Sequence, residues 1–147
     1  MRIIHLTFAV LFAAISMPND ARAAEGASVR AILIMATNLK READPKLAPY
    51  EAELQRNLPL SSFRYVGEGS ASLAGGKKAN IPLGRGHRLD LEGEKGGGRG
   101  IRVQVQWMNG NNVVMSTSLI LESGLPAVLG RRPSGDAETP IVLLIAK

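Results

Sequence analysis

Residues 101–107, IRVQVQW, carry the clearest alternation of apolar and polar side chains in the sequence. A period of two places successive side chains on opposite faces of a β-strand. We therefore expect Trp107 to share a buried face with the aliphatic residues of the stretch, rather than to form an exposed stacking platform for a sugar. Asn109-Gly110 follows, a strong hairpin signal, so Val113–Leu121 is predicted as the partner strand.

Further short strands are predicted on both sides of this hairpin. Turn signals recur roughly every eight to twelve residues, as in sandwiches and barrels. Pro82 cannot donate a hydrogen bond to a neighbouring strand, so its segment is expected at a sheet edge or beside a bulge. The predicted segments are residues 63–68, 70–73, 79–83, 87–92 and 125–129.

Two segments near the ends of the chain are apolar on both faces. They are residues 28–37, SVRAILIMAT, and residues 139–146, TPIVLLIA. A continuously apolar strand is typical of a buried position, and at a sheet edge it would aggregate. We therefore expect both strands in the centre of the core, with adjacent places in one sheet as one arrangement.

One helix is predicted after the first strand. Asp44 is a suitable N-cap, Pro45 suits the first helical position, and Pro59 ends the pattern. Apolar residues recur between them at helical spacing, at Leu47, Tyr50, Leu54 and Leu58. The pattern predicts a helix over Pro45–Leu58. The fold class is therefore mainly β, an antiparallel β-sandwich of about eight short strands with one helix after the first strand.

Residues 1–23 are expected to be a cleaved signal peptide. Arg2 precedes the apolar run Leu6–Ile15, and Ala21-Arg22-Ala23 supplies the small residues that a signal peptidase reads. The run is too short to span a bilayer, which needs about 20 apolar residues. We expect a single β-sandwich domain over residues 24–147, exported to the periplasm or to the cell surface and medium.

The composition limits the available chemistry. The chain of 147 residues has no cysteine, which excludes disulfides, thiolate nucleophiles and thiolate metal sites. Eighteen basic and thirteen acidic residues give a net charge of +5. This surplus either serves solubility or attracts an anionic envelope polymer. No cofactor is expected, and nucleic acid is not an expected partner.

Few polar groups suggest a reaction. His87 is in phase with Leu89 and Leu91 beside a turn, which favours a structural or merely exposed histidine over catalysis or metal binding. The acids of residues 90–94 have the alternate spacing of a calcium loop, but strand alternation also explains them. The hydroxyl residues 116–118 lack a nucleophile elbow. The glycine-rich residues 96–100 do not open a helix, as a phosphate-binding loop does.

Basic residues fall in the predicted turns. If these turns lie at one end of a sandwich, the side chains form a cationic rim, and the arginines suit carboxylate and phosphate groups. Scattered, solvated charges are the alternative. The candidate ligand-binding residues are Lys77, Lys78, Arg85, Arg88, Arg131 and Arg132.

The stretch from Asp44 to Gly130 resembles a pattern of uncharacterised exported bacterial proteins. The pieces that carry the resemblance are DPKLAPYEAELQRNLPLSSFRYVGEGSASL, LGRGHRLDLE, RVQVQW and SGLPAVLGRRPSG. The resemblance implies export and a β-sandwich, and it carries no catalytic residue. The tail also resembles the C-terminal part of bacterial secretins, in a proline-containing LG turn before an apolar strand, although that pattern is only partly met.

The sequence therefore predicts an exported binding or envelope-assembly module without a catalytic site. Its expected partner is another envelope protein or an anionic envelope polymer, recognised through the basic turns or by strand addition at a sheet edge. One alternative is an accessory component of a secretion system. Another is a hydrolase of envelope glycans that uses Asp90 paired with Glu92 or Glu122.

Overall fold

The computed structural model describes residues 27–73, 78–94, 100–131 and 137–147. Two antiparallel four-stranded sheets face each other, which confirms the predicted β-sandwich class. The strands are β1 (Ala27–Thr37), β2 (Ser62–Leu73), β3 (Lys78–Gly84), β4 (His87–Glu94), β5 (Ile101–Asn109), β6 (Asn112–Leu121), β7 (Ala127–Gly130) and β8 (Thr139–Ala146). A 3-10 turn at Pro45–Leu47 and a helix, α1 (Glu51–Asn57), follow β1.

Sheet A has the strand order β2-β1-β8-β7, and sheet B has the order β3-β4-β5-β6. The two continuously apolar strands, β1 and β8, are adjacent at the centre of sheet A, as predicted. Strand β3 is an outer strand of sheet B, with a register shift between Pro82 and Gly84. The expectation for the proline-containing strand is therefore confirmed.

Strand β1 is apolar on both faces because each face meets a different apolar layer. Ala31 and Leu33 belong to the core between the two sheets. Ile32 and Ile34 belong to a second core, on the outer side of sheet A, where Leu47 and Leu54 of the helical segment cover them. Trp107, Leu89 and Leu91 pack in the first core, so the predicted inward faces of β4 and β5 are confirmed.

The predicted helix over Pro45–Leu58 is wrong in its extent. Asp44 is the N-cap, and its side chain accepts hydrogen bonds from the backbone N–H of Lys46 at 3.0 Å and of Tyr65 at 2.9 Å. Pro49 has no N–H to donate to the carbonyl of Pro45, so the first turn stays 3-10 and the helix restarts as α1. The two donors, that of Tyr65 first, hold the pKa of the Asp44 carboxyl below its usual range.

The two strands predicted for residues 63–68 and 70–73 form one strand, β2. Gly67 and Gly69 do not turn the chain; they let β2 approach β3 closely. A Cβ atom on Gly67 would lie 2.1 Å from the carbonyl oxygen of Leu83. The outer strands of the two sheets therefore meet along this side, and β3 is held in place by β2.

Two predictions concern residues outside the described ranges. They are the signal peptide at residues 1–23 and the glycine-rich loop, of which residues 95–99 are not described. The strand predicted for residues 125–129 is displaced slightly and forms β7 at Ala127–Gly130. In the part of the chain that is described, no helix has the length and apolar character needed to cross a membrane.

Candidate binding face

The outer face of sheet B is polar, and among the described residues no helix or strand covers it as the helical segment covers sheet A. Directly paired residues of an antiparallel sheet lie side by side on the same face. The pairing aligns polar residues across all four strands in two rows. The first polar row is Asn80, Asp90, Gln106 and Ser116, and the second polar row is Lys78, Glu92, Gln104 and Ser118.

The two rows form a regular array. Neighbouring strands are about 4.8 Å apart, and positions two residues apart on one strand are separated by about 7 Å, so each row spans roughly 14 Å. A depression of about 490 Å³ lies over the array. In the part of the chain that the structure describes, seven polar side chains line it, and all of them belong to the two rows. The array therefore presents evenly spaced hydrogen-bonding groups in a shallow, open site.

Hydrogen bonds hold part of this polar face in place. The Nδ2 atom of Asn80 donates to Oδ1 of Asp90 at 2.6 Å. The Nε2 atom of Gln104 donates to Oε1 of Glu94 at 2.7 Å. Gln106 and Ser116, which lie directly opposite each other on β5 and β6, are exposed. The face thus combines oriented side chains with groups that are open to a ligand.

Strand alternation explains why the rows are polar. In β4 and β5 the inward side chains are buried, and Leu89, Val103 and Val105 are at most 2% exposed. Their neighbours along each strand must then face outward, where polar groups are solvated. Asp90, Glu92 and Glu94 follow one another along this extended strand, so they do not converge as a calcium loop requires. The described residues hold no cluster of three or more potential metal ligands.

The predicted cationic rim is only partly assembled. Arg85 lies in the β3–β4 turn, beside the β5–β6 turn, because the backbone N–H of Gly110 donates to the carbonyl of Gly86 at 2.9 Å. Arg88, at the same end, donates to the carbonyl of Gly110 at 3.5 Å, and its Nε atom is 3.7 Å from Oδ2 of Asp90. These two arginines are therefore brought together.

The other rim candidates are distributed differently. Arg131 follows β7 and donates a hydrogen bond to the carbonyl of Val114, near the start of β6 and at the same end as the two turns. Lys78 begins β3 and so lies at the opposite end of the sheet. Lys77 and Arg132 lie outside the described residues. Of the six rim candidates, Arg85, Arg88 and Arg131 therefore lie at one end of the sandwich, and Lys78 lies at the other.

A second cavity, of about 220 Å³, lies beside the segment that follows β1. There Glu138 accepts hydrogen bonds from Arg41 at 3.2 Å and from Arg64 at 3.1 Å. Glu42 and Asp44 also line the cavity. Three carboxylates and two guanidinium groups favour neither sign of ligand, and the ion pairs join this segment to the residue that precedes β8. We therefore assign them a structural role.

His87 is a core residue, as its strand phase predicts. It is 6% exposed, and its Nδ1 atom accepts a hydrogen bond from Nε1 of Trp107 at 3.0 Å. Tryptophan only donates, so Nδ1 is unprotonated and the neutral ring carries its proton on Nε2. Burial lowers the pKa of His87, which keeps the ring neutral near neutral pH.

This arrangement predicts that the protein loses stability in mild acid. Below the usual histidine pKa of about 6.5, the unfolded chain binds a proton at His87 that the folded protein does not bind. The free energy of unfolding therefore decreases as the pH decreases. The loss continues until the pH passes the lowered, folded-state pKa. Urea unfolding monitored by the fluorescence of the one tryptophan should show it between about pH 7.5 and 5.5.

The control for this prediction is His87→Gln, which keeps a hydrogen-bond acceptor but does not titrate. In this variant, stability should be nearly constant over the same pH interval. An equal fall in the wild type and in the variant would assign the pH dependence to other groups.

Sequence reasoning missed most of the polar face. Asn80, Gln104 and Gln106 are not candidates from the sequence, because alternation shows only that they point outward, and Ser116 and Ser118 are considered there only as nucleophiles. Their alignment depends on the pairing between strands. The Asn109-Gly110 turn predicts that β5 pairs with β6, but it does not predict the register that aligns the rows.

Comparison with protein-family models, with curated proteins and with solved structures found no match to this chain. The function must therefore be inferred from the geometry of the chain itself.

Proposed function

We propose that this protein is an exported, non-catalytic binding module that holds a linear, hydroxyl-rich polymer, such as an envelope glycan, against the polar face of sheet B. One observation carries the proposal: polar side chains continue across four strands in two adjacent rows over one open depression. Export is supported by the signal-peptide pattern at residues 1–23.

The functional groups of the rows suit hydroxyl ligands. The amides of Asn80, Gln104 and Gln106 both donate and accept hydrogen bonds, and so does the hydroxyl of Ser116. The carboxylates of the rows only accept. Since a sugar hydroxyl is itself both donor and acceptor, it can pair with each of these groups. An evenly spaced row also matches a ligand that repeats its hydroxyl groups along one direction.

The charges on the polar face favour a ligand of low charge. Asp90 and Glu92 repel polyanions, and among the described residues Lys78 is the one lysine or arginine that lines the depression. An anionic polymer would instead meet the arginines at the turn end, away from the centre of the rows. We therefore favour a neutral glycan strand over the anionic polymer that the net charge alone suggests.

The described residues that line the depression include no aromatic ring, so each contact with a sugar is expected to be of modest strength. The ring of Trp107 is fully buried between the sheets and offers no surface to a sugar. Net contributions of roughly 0.5–1.5 kcal/mol per hydrogen bond must then add up along the rows. Such a site gains most from a polymer that occupies many groups at once.

The proposal predicts that Gln106→Ala combined with Ser116→Ala weakens glycan binding about ten-fold, because two exposed partners of one row are lost. Binding of the wild type and the variant would be measured on an array of neutral and anionic saccharides, and by co-sedimentation with purified peptidoglycan sacculi and insoluble β-glucan. Gln55→Ala is the matched control, because it removes an exposed amide on α1, outside the two polar rows.

The expected result is a preference for neutral saccharides, with unchanged binding by Gln55→Ala. If the wild type binds no saccharide, or if both variants lose binding equally, the proposal is wrong.

The same samples test the hydrolase alternative, since Asp90 and Glu92 lie on one face of β4. Release of soluble reducing ends by the wild type, but not by Asp90→Asn, would favour hydrolysis over binding alone.

A further inference from the structure

Strand β6 is the exposed outer strand of sheet B. Its ten residues contain no charge and no proline, and Val113 and Ile120 are 50% and 55% exposed. The other outer strands are protected: β2 and β3 lie against each other, and β7 has only four residues and follows Pro126. Among the described residues, β6 pairs only with β5. A long, uncharged strand with one open edge is a template for another strand.

The start of β6 carries protection that the rest of the strand lacks. The register shift opposite Trp107 and Met108 places a bulge at Val114. Arg131 donates to the carbonyl of that same residue. Bulges and charged side chains are the usual means of blocking an edge. The unblocked edge therefore runs from Met115 to Leu121.

The sequence of β6 is symmetric in character about Thr117. Residues 113–121 read VVM-S-T-S-LIL, with an apolar triplet on each side of three hydroxyl residues. When two identical strands pair antiparallel about one residue, each residue meets its mirror position. Ser116 then meets Ser118 of the second copy, Met115 meets Leu119, and Thr117 meets its own equivalent. Every central contact joins groups of the same kind.

We propose that two copies of this chain pair through β6, antiparallel and with a two-fold axis at Thr117, which joins two sheets B into one sheet of eight strands. Identical strands without charge do not repel each other, and hydroxyl pairs and apolar pairs both stabilise neighbouring strands. The bulge at Val114 puts Val113 on the outer face with Ile120, opposite Met108 and Arg102 of β5 respectively. The directly paired segment is Met115–Leu119 of each copy, and Ile120 of one copy and Val113 of the other lie near each other on the outer face, just beyond its ends. Such an interface is isologous, as in most dimers.

This pairing also extends the polar face. Ser116 ends the first polar row and Ser118 ends the second. The pairing places Ser116 of one copy opposite Ser118 of the other copy. The first row of one copy therefore continues into the second row of the other, over roughly 34 Å. This consequence rests on the proposed function, whereas the pairing itself does not. A continuous face doubles the groups available to a single polymer.

Two double variants test the pairing and its register. Ser116→Lys with Ser118→Lys puts like charges opposite each other twice, whereas Ser116→Lys with Ser118→Glu puts opposite charges together twice. Sedimentation equilibrium should show a dimer for the wild type and for the Lys/Glu variant. The Lys/Lys variant should dimerise about ten-fold more weakly than the Lys/Glu variant. Circular dichroism would show that both variants keep the fold.

A monomeric wild type up to roughly 1 mM, or equal dimerisation of the two double variants, would overturn the proposal.

Cross-linking is a third measurement, and it is possible because the chain has no native cysteine. Thr117→Cys should cross-link to its own copy through a short bis-maleimide, whereas Gln55→Cys, exposed on α1, should not. Since mass and cross-linking need no saccharide, failure of the pairing is distinguishable from failure of glycan binding.

Discussion

Gly67→Ala is expected to destabilise the protein by about 3 kcal/mol, which lowers the melting temperature by about 10 °C. The added methyl carbon would lie 2.1 Å from the carbonyl oxygen of Leu83, which belongs to the backbone of β3. A side chain could rotate away from such a contact, but a strand must move as a whole. The substitution therefore separates β2 from β3 and shifts the strand that carries Asn80 and Lys78. Thermal unfolding followed by circular dichroism measures the loss.

Gly124→Ala is the matched control. Gly124 has a positive φ of 79° and no atom within 4 Å of an added Cβ, so it tests backbone strain without a clash. Its expected cost is roughly 1–2 kcal/mol. A loss at Gly67 no greater than the loss at Gly124 would contradict the close contact of the two outer strands.

Trp107→Ala is expected to cost about 4 kcal/mol, because it removes the largest side chain of the core between the sheets. The substitution leaves a cavity and also deprives Nδ1 of His87 of its donor. Trp107→Phe keeps an aromatic ring but loses the N–H, so it should cost clearly less, about 2 kcal/mol. Urea unfolding followed by circular dichroism compares the two variants. An equal loss of unfolding free energy in the two variants would contradict the expectation that the volume of the aromatic ring stabilises this core.

The central parts of the fold could be predicted because one physical signal dominates each of them. Unbroken alternation in residues 101–107 and continuous apolarity in residues 139–146 leave one burial pattern for each strand. The predicted helix is too long because apolar spacing alone does not account for Pro49, whose missing N–H ends the first turn. The division of β2 into two strands is wrong, because the strand continues through Gly67 and Gly69, where the absence of side chains allows a close approach to β3.

The polar face could not be predicted, because it depends on one register shift. The turn pairs Asn109 with Asn112, and simple counting from that pair would place Gln106 opposite Met115. The bulge in β6 moves the pairing by one residue and puts Gln106 opposite Ser116 instead. No local pattern marks this bulge, so the alignment of the two rows emerges only from the folded sheets.

If the polar face of sheet B is the binding surface, a bound saccharide must contact its side chains. Isotope-labelled protein would be titrated with a neutral oligosaccharide selected on the array, and the amide and side-chain NMR signals would be followed. We expect the largest shifts at Gln104, Gln106 and Ser116, with the signals of Gln55 and of the rest of α1 unchanged. Shifts confined to Arg85, Arg88 and Arg131, or spread evenly over the molecule, would contradict the account.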